Sequence, residues 1–153
     1  MDHSLITDYL YIAARPKGTD AREIRDLDVR LIISMVAHRR PPAEFYRPPL
    51  STLWLRTFDF FLLPIPVDLL EQGVDAALPV IKGGHSVLTY CQAGRHRSVA
   101  MGAAILIGMG HSADEAMALI ARRRPTADPY ASHIERQIRK FEARWGERPG
   151  EAA

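Results

Sequence analysis

The stretch "TYCQAGRHRSVAMGAAILIGMG", residues 89–110, holds the only cysteine of the chain, Cys91. The seven residues that follow, Gln92–Ser98, are small, polar or basic, and they lead directly into an apolar run with the composition of a buried helix. A structural cysteine normally has large apolar residues near it in sequence on both sides. None of the seven residues that follow Cys91 is a large apolar one. This stretch therefore indicates a loop that receives an anion.

The segments on either side place this loop between a strand and a helix. Ser86–Tyr90 has the pattern of a strand, so Cys91 falls at the C-terminal end of that strand and Ser98 at the start of the helix. Ligands bind at this edge in parallel α/β sheets. Gly94 lets successive N–H groups turn inward, and the helix adds its positive N-terminus. The sequence thus predicts a cradle for a phosphate group.

Three side chains complete the predicted site. Arg97 lies at the far end of the loop, where its planar guanidinium suits two phosphate oxygens. A thiol at a helix N-terminus beside an arginine has a pKa below the free value of about 8.5, which makes Cys91 a nucleophile near neutral pH. Ser98 is placed to donate a hydrogen bond to the sulfur. The backbone groups expected to bind phosphate belong to Gln92, Ala93, Gly94, Arg95, His96 and Arg97.

Composition sets limits around this motif. The chain has 153 residues, 47% of them hydrophobic and 25% charged, which is typical of one globular domain. We expect that domain to span residues 1–147, with a disordered tail over 148–153. A single cysteine requires no oxidising compartment, and no apolar run has the length of a membrane span, so a cytoplasmic protein is expected. A net charge of +2 does not indicate nucleic-acid binding.

Strand and helix patterns alternate along the chain and predict an α/β fold, with a mostly parallel sheet of about four to five strands flanked by helices. The predicted strands are Leu10–Ala14, Val29–Val36, Ser51–Phe58 and Ser86–Tyr90. Apart from the helix after Cys91, the predicted helices follow the turn at Gly18–Asp20 and cover Val67–Ile81, Ser112–Arg123 and Tyr130–Trp145.

The motif Cys-x5-Arg-Ser at residues 91–98 resembles the signature of the cysteine-dependent protein tyrosine phosphatase superfamily, and the compact chain resembles its dual-specificity branch. The similarity extends to "DYLYIAARP" (8–16) and "EAMALIARRRPTADP" (115–129). The resemblance implies a phosphatase fold and phosphomonoester hydrolysis through a cysteinyl-phosphate. It implies no cofactor and no metal, and no His, Cys or carboxylate set has metal-ligand spacing in the sequence.

The resemblance also implies a general acid on a loop upstream of the nucleophile, because an alkoxide leaves far better when it is protonated. Asp59 fits this role best, since it follows a predicted strand and begins a proline-containing loop. Asp68 and Asp75 are rivals, but both fall in the predicted helix. The family usually has a histidine directly before the nucleophile, where this chain has Tyr90, so we expect a higher pKa for Cys91 than in its relatives.

The substrate stays open between two classes. Phosphoprotein hydrolysis, covering phosphotyrosine and phosphoserine or phosphothreonine, is the first expectation because it is the commonest activity of the branch. The basic loop with Arg95 and His96, together with "TFDFFLLP" (57–64), is also similar to phosphatidylglycerophosphate phosphatases, and basic loops occur in phosphoinositide phosphatases. Peripheral contact with a membrane therefore stays open. Two further alternatives are a phosphate-binding module without activity and a rhodanese-type sulfur carrier.

Several segments are expected to play only structural roles. The apolar run Phe60–Leu63 is expected to pack into the core, because exposed apolar patches of that size are uncommon. The basic clusters His38–Arg40 and Arg122–Arg124 are expected on the solvated surface. His85, His96 and His111 are expected as surface or loop histidines.

Overall fold

The computed structural model describes residues 1–149, and these form a single five-stranded sheet with helices packed against it. The predicted α/β class with a mostly parallel sheet is confirmed. Strands β1 to β5 span His3–Thr7, Leu10–Ala14, Val29–Ser34, Ser51–Trp54 and Ser86–Cys91. Helices α1 to α5 span Ala21–Asp26, Val67–Lys82, Arg97–Gly108, Ala113–Arg123 and Ser132–Gly146.

The strand order is β1-β2-β5-β3-β4, which makes β5 the central strand. Strands β2, β5, β3 and β4 run parallel, and only β1 pairs antiparallel with β2. In the register of the sheet, Tyr90 lies opposite Ser34, and Ser34 lies opposite Trp54. Cys91, one residue further along, therefore stands at the C-terminal edge of the central strand, as the sequence predicted.

Helix α3 is the core of the domain. Its residues from Arg97 to Ile107 are all buried, and it packs against β2 and β5 while α2, α4 and α5 pack around it. A helix hydrophobic on every side is typical of such a central position. Because α3 begins inside the loop that follows Cys91, the core fixes one end of that loop and β5 fixes the other.

Most predicted element boundaries agree with the structure to within two residues. The helix start at Ser112 is confirmed as a capping box: its hydroxyl accepts a bond from the Glu115 N–H at 3.1 Å, and the Glu115 carboxylate accepts one from the Ser112 N–H at 3.2 Å. Strand β4 is shorter than predicted and ends at Trp54, because β3, which is its one partner among residues 1–149, itself ends at Ser34. Strand β1 was not predicted, since within it only Ile6 is buried and the segment lacks a strong alternation.

The described residues end within the predicted tail. Residues 150–153 of the predicted disordered segment 148–153 lie outside the described residues. Arg148, at the start of the predicted tail, forms an ion pair with Asp75 at 3.0 Å, and its guanidinium lies over the ring of Trp145. None of the helices over residues 1–149 has the length and apolar character needed to cross a membrane.

Candidate active site

The thiol of Cys91 sits against the first turn of α3. Its Sγ lies 3.1 Å from Oγ of Ser98, and the cysteine is only 2% exposed. Thr89 donates a hydrogen bond to the carbonyl oxygen of Ser98 at 3.0 Å, which anchors the start of the helix to β5. The structure thus brings together the predicted nucleophile and the predicted hydrogen-bond donor.

The surroundings of Cys91 stabilise a thiolate. Burial by itself would raise the pKa of the thiol. Hydrogen bonds from the Ser98 hydroxyl and from the N–H groups of Ser98 and Arg95 oppose burial, and so does the charge of Arg97. These contributions outweigh burial, and the pKa of Cys91 lies below its ordinary value.

Arg97 is a buried cation with an unused donor. The side chain is inside the protein, with the residue 6% exposed, and its Nη1 donates to the carbonyl oxygens of Met35 at 3.2 Å and Thr57 at 3.0 Å. Its Nε has no hydrogen-bond partner among residues 1–149. A buried donor without a partner costs about 1–3 kcal/mol, and more when it is charged. An oxyanion held in the loop would satisfy this donor.

The loop keeps its shape through Gly94 and Arg124. Gly94 has φ +66°, and a Cβ added there would lie 2.5 Å from Nη2 of Arg124 and 2.7 Å from the backbone carbon of Ala13. Arg124 donates from Nε to the carbonyl of Gly94 at 2.8 Å and from Nη2 to that of Ala93 at 3.3 Å. These bonds hold the loop carbonyls against the protein, which leaves the N–H groups free to form the cradle.

The position of Arg124 corrects one expectation. Of the cluster Arg122–Arg124, the first two residues are exposed as expected, but Arg124 is 2% exposed. Its remaining donors reach the carboxylate of Asp2 at 3.1 and 3.2 Å and the hydroxyl of Ser4 at 3.1 Å. The other cluster, His38–Arg40, is exposed throughout, as the sequence predicted.

Asp59 lies in the loop after β4, beside the cradle. Its Oδ2 accepts a hydrogen bond from Nδ1 of His96 at 2.9 Å, and its Oδ1 accepts one from Nε2 of His133 at 2.9 Å. Burial would raise the pKa of this carboxyl. The hydrogen bonds from His133 and His96, with the charges of His96 and Arg97, outweigh burial and lower the pKa.

The two rival acids lie elsewhere. Asp68 and Asp75, both on α2, form ion pairs with Arg144, on the last turn of α5, and with Arg148, just after α5. Both carboxylates are exposed and engaged on that surface. Among the three carboxylates that the sequence singled out, Asp59 alone meets a residue of the loop.

The contacts of two histidines with Asp59 were not predicted. His96 was expected in the phosphate-binding loop but not as a partner of the acid, and His133 was not singled out at all. Their rings lie 5.4 Å apart, on either side of the Asp59 carboxylate. No local pattern marks His133, because it is 74 residues from Asp59 in sequence and only the packing of α5 brings it close.

The remaining loop residues point outward. Arg95 is exposed, with its guanidinium 3.9 Å from the carboxylate of Asp128. The side-chain oxygen of Gln92 accepts a hydrogen bond from Arg15 at 3.2 Å.

Tyr90, which stands where the family usually has a histidine, is buried with its ring edge against Phe45, and burial raises the pKa of its hydroxyl.

The segment Phe60–Leu63 corrects a second expectation. It is not packed in the core: Phe61 is 64% and Leu62 65% exposed. A tight turn causes this, since the N–H of Leu63 bonds to the carbonyl of Phe60 at 3.0 Å and carries the side chains between them away from the domain. Exposed Phe58 adds to this patch and, with Leu62 and Leu63, lines a groove of about 270 Å³. In sequence the patch flanks Asp59, with Phe58 before it and Phe60 after it.

Comparison with known proteins identifies the fold. No protein-family model matches the chain, and no curated protein matches it by sequence. The structure of human DUSP28 superposes with a TM-score of 0.84 at 21% identity, covering 95% of this chain and 96% of that one. PTPMT1 in complex with PI(5)P has a TM-score of 0.82 at 27% identity over 93% and 95% of the two chains. A human tyrosine phosphatase-like serine/threonine/tyrosine-interacting protein has a TM-score of 0.77 at 19% identity, over 94% and 97%.

These neighbours belong to the cysteine-dependent protein tyrosine phosphatase superfamily, and the fold of this chain is the fold of that superfamily. The resemblance read from the Cys-x5-Arg-Ser loop is thereby confirmed. The compact form of the chain, matched almost end to end by DUSP28 and PTPMT1, is the one expected of the dual-specificity branch.

Proposed function

We propose that the protein is a phosphomonoester hydrolase that acts through a cysteinyl-phosphate intermediate. The observation that carries the proposal is the pairing of a buried thiol of lowered pKa with the buried Arg97, whose Nε has no partner among the described residues. A nucleophile and an anion-binding donor, both shielded from water, are the two parts that phosphoryl transfer from a monoester needs.

In the first half-reaction, the Cys91 thiolate attacks phosphorus and the bond from phosphorus to the ester oxygen breaks. The electron pair of that bond goes to the leaving oxygen, which takes a proton from the Asp59 carboxyl. Because the pKa of Asp59 is lowered, the reaction draws on the fraction of chains in which this carboxyl is protonated. The loop N–H groups and the Arg97 guanidinium donate hydrogen bonds to the three equatorial oxygens and stabilise their charge. His96 and His133 hold the Asp59 carboxylate at the mouth of the loop.

In the second half-reaction, water attacks phosphorus and the Asp59 carboxylate accepts its proton. The bond between phosphorus and sulfur breaks, and the electron pair returns to Cys91. The Ser98 hydroxyl, 3.1 Å from the sulfur, donates a hydrogen bond that stabilises the departing thiolate. Inorganic phosphate is released, and the thiolate and the protonated acid are restored.

The exposed patch favours a phospholipid as the substrate. Asp59 contacts the leaving oxygen, so the residues beside it face the organic part of the substrate. Those neighbours are the exposed apolar side chains of Phe60–Leu63, which suit acyl chains or a membrane surface. Support also comes from PTPMT1, a neighbour at 27% identity whose structure holds PI(5)P. The exposed basic cluster His38–Arg40 would suit an anionic surface.

A dual-specificity protein phosphatase is the second candidate, and a separate groove favours it. A groove of about 340 Å³ is lined by Arg40, Tyr46 and Trp54, among others. Trp54 lies opposite Ser34, and Ser34 opposite Tyr90, at the edge that carries the nucleophile. At about 4.8 Å per strand, the groove is about 10 Å from that central strand, a distance that suits a neighbouring side chain of a phosphopeptide.

The test is phosphate release from a matched panel, with Cys91→Ser as the blank. The panel contains a phosphotyrosine peptide, a phosphothreonine peptide, and phosphatidylglycerophosphate and phosphoinositides presented in vesicles. We expect Cys91-dependent release with lipid turnover dominant. Dominant peptide turnover would instead support the protein phosphatase, and absence of release from every substrate would favour a phosphate-binding module.

A surface variant separates the two substrate classes further. Phe61→Ser combined with Leu62→Ser removes the exposed apolar side chains and should lower turnover of vesicle-borne lipid by about tenfold or more, since each buried side chain contributes up to about 1.5–3 kcal/mol. Release from a soluble phosphopeptide should not change. Leu5→Ser is the matched control, because Leu5 is similarly exposed, at 48%, on strand β1.

A further inference from the structure

Three side chains from three separate parts of the chain converge beside the cradle. Asp59 comes from the loop after β4, His96 from the residue that precedes α3, and His133 from the first turn of α5. Both imidazole nitrogens lie 2.9 Å from a carboxylate oxygen of Asp59, and the three potential ligand atoms lie within 4.8 Å of one another.

The donor set has the chemistry of a transition-metal site. Two imidazoles and one carboxylate suit a borderline cation such as Zn²⁺ rather than the hard cations Mg²⁺ and Ca²⁺, which prefer oxygen ligands. Bonds of about 2.0–2.2 Å in a tetrahedron place the ligand atoms about 3.3 Å apart. The two contacts between an imidazole nitrogen and an Asp59 oxygen, at 2.9 Å, are slightly shorter than this spacing, and no two of the ligand atoms are more than 4.8 Å apart. Small side-chain movements would therefore bring all three onto one ion.

The site is partly exposed to solvent, and a second carboxylate lies near one of its histidines. The side chains of His96 and His133 are about one fifth exposed and that of Asp59 about one third, which gives an ion and a water ligand access. The second nitrogen of His96 lies 3.8 Å from the carboxylate of Asp128. This distance is that of an ion pair rather than a hydrogen bond, and a carboxylate at the second nitrogen of a ligating imidazole helps to orient the ring once the two are hydrogen-bonded.

The local charges are mixed. Arg97 acts on Asp59 and opposes a cation, whereas Asp128 favours one. Arg95, which lies 3.9 Å from the Asp128 carboxylate, partly offsets that contribution. An ion must therefore gain its affinity from direct bonds to the three ligands, which is the way Zn²⁺ binds.

We propose that Asp59, His96 and His133 form a Zn²⁺ site, and that the bound ion inhibits the phosphatase by occupying the carboxylate that must exchange a proton with the substrate. The inhibitory part rests on the proposed function; the binding part does not. Zn²⁺ replaces the protons that the two rings now share with Asp59, so the catalytic carboxylate is withheld while the ion is bound.

Binding is tested in the Cys91→Ser chain, in which the thiolate cannot act as a competing ligand. Co²⁺ is titrated and followed by its visible absorption, and Zn²⁺ by calorimetry. We expect one ion per chain. His96→Gln and His133→Gln, each made in the same background, should weaken binding by at least about tenfold, since even loss of an outer-shell partner costs about 10–100-fold.

His85→Gln is the matched control, because His85 is an exposed histidine that bonds to a carboxylate, Asp28, at 3.1 Å. It should bind Co²⁺ as tightly as the parent. Thermal melting verifies folding, and the two histidine variants lie on different elements, so one remains informative if the other unfolds. The proposal is overturned if the Cys91→Ser chain binds no ion, or if the folded His96 and His133 variants bind as tightly as the control.

Inhibition is tested in the chain that retains Cys91. The Zn²⁺ concentration for half-inhibition of phosphate release should rise at least about tenfold in His133→Gln, in parallel with binding, and stay constant in His85→Gln. Equal inhibition of both variants would assign the effect to another ligand, such as Cys91, and overturn the inhibitory part. Absence of any release would count against the proposed function alone, since binding is measured without turnover.

Discussion

Nε of Arg124 donates to the carbonyl oxygen of Gly94 at 2.8 Å, so a residue at the end of α4 supports the loop that follows Cys91, the proposed nucleophile. The same guanidinium binds Asp2 near the N-terminus. Arg124 touches no substrate in the proposed reaction. It acts as a positioning residue, because it orients the backbone that would hold the phosphate.

Replacement of Arg124 should therefore change the reactivity of Cys91. In Arg124→Gln the carbonyls of Ala93 and Gly94 lose a charged donor, which costs about 1–3 kcal/mol for each buried acceptor left without a partner. The loop N–H groups then stabilise the thiolate less well, and the pKa of Cys91 should rise. The rate of iodoacetamide alkylation against pH measures this. Arg123→Gln, an exposed neighbour, is the control, and identical profiles for the two variants would contradict the positioning role.

Substitution of Gly94 should abolish activity for a steric reason. In Gly94→Ala the new Cβ would meet Nη2 of Arg124 at 2.5 Å and the backbone of Ala13 at 2.7 Å, so the loop must move. Gly110→Ala is the matched control: Gly110 also has a positive φ, +111°, but a Cβ there meets nothing within 4 Å. Gly110→Ala should lose about 1–2 kcal/mol of stability in urea unfolding from backbone strain, and Gly94→Ala should lose more because of the added clash. Phosphate release should fall only in Gly94→Ala, and retained release there would refute the argument.

The pH dependence of the reaction should report the Cys91 thiol. Its pKa is lowered, so the thiolate persists to lower pH than that of a free cysteine, and kcat/KM should fall as the pH drops through this pKa. Asp59 and Arg97 are the charged groups that face the site, and Arg97 favours the thiolate. Ser98→Ala removes a hydrogen bond to the sulfur. A hydrogen bond to a charged group contributes about 1.5–3 kcal/mol, so the acid limb of the profile should move to higher pH by about 1–2 units.

The Ser98 prediction has a direct readout in alkylation rates, which need no turnover. Ser51→Ala is the control, since Ser51 is an exposed serine on β4 whose hydroxyl bonds to the carbonyl of Arg30. An unchanged acid limb in Ser98→Ala would show that the backbone N–H groups and Arg97 alone set the pKa of Cys91.

Removal of the acid should have an effect that depends on the leaving group. Asp59→Asn should lower kcat by about 10²–10⁴-fold for an alkyl phosphate, because general acid catalysis contributes about that much. An aryl phosphate whose phenol is already acidic should be much less affected. Asp68→Asn, which alters only the surface pair with Arg144, is the control. Equal losses for both leaving groups would contradict the assignment, and unchanged phosphate release would show that another group protonates the leaving oxygen.

The cradle could be predicted because its parts are contiguous in sequence. Cys91, Gly94, Arg97 and Ser98 lie on one strand-loop-helix turn, and local geometry alone brings them together. Asp59 could be placed only through the family resemblance and its loop position. Its predicted place beside the cradle agrees with the hydrogen bond to His96.

The rest of the site depends on packing between distant segments, which no local pattern records. His133 reaches Asp59 because α5 packs against α3, and Arg124 is buried because the chain turns beneath the loop after α4. The error at Phe60–Leu63 has a different origin. Hydrophobicity favoured burial, but a tight turn between Phe60 and Leu63 directs those side chains outward.

Because the sequence has one cysteine, Cys91, the proposed nucleophile, can be followed by its own chemical labelling. Any thiol reagent that modifies the chain modifies Cys91, so the stoichiometry of labelling measures the fraction of competent sites without a substrate. The presence of one cysteine in the sequence also affects oxidation. A sulfenic acid formed at Cys91 finds no second thiol in this chain with which to close a protective disulfide, so its recovery before irreversible oxidation depends on small thiols from outside.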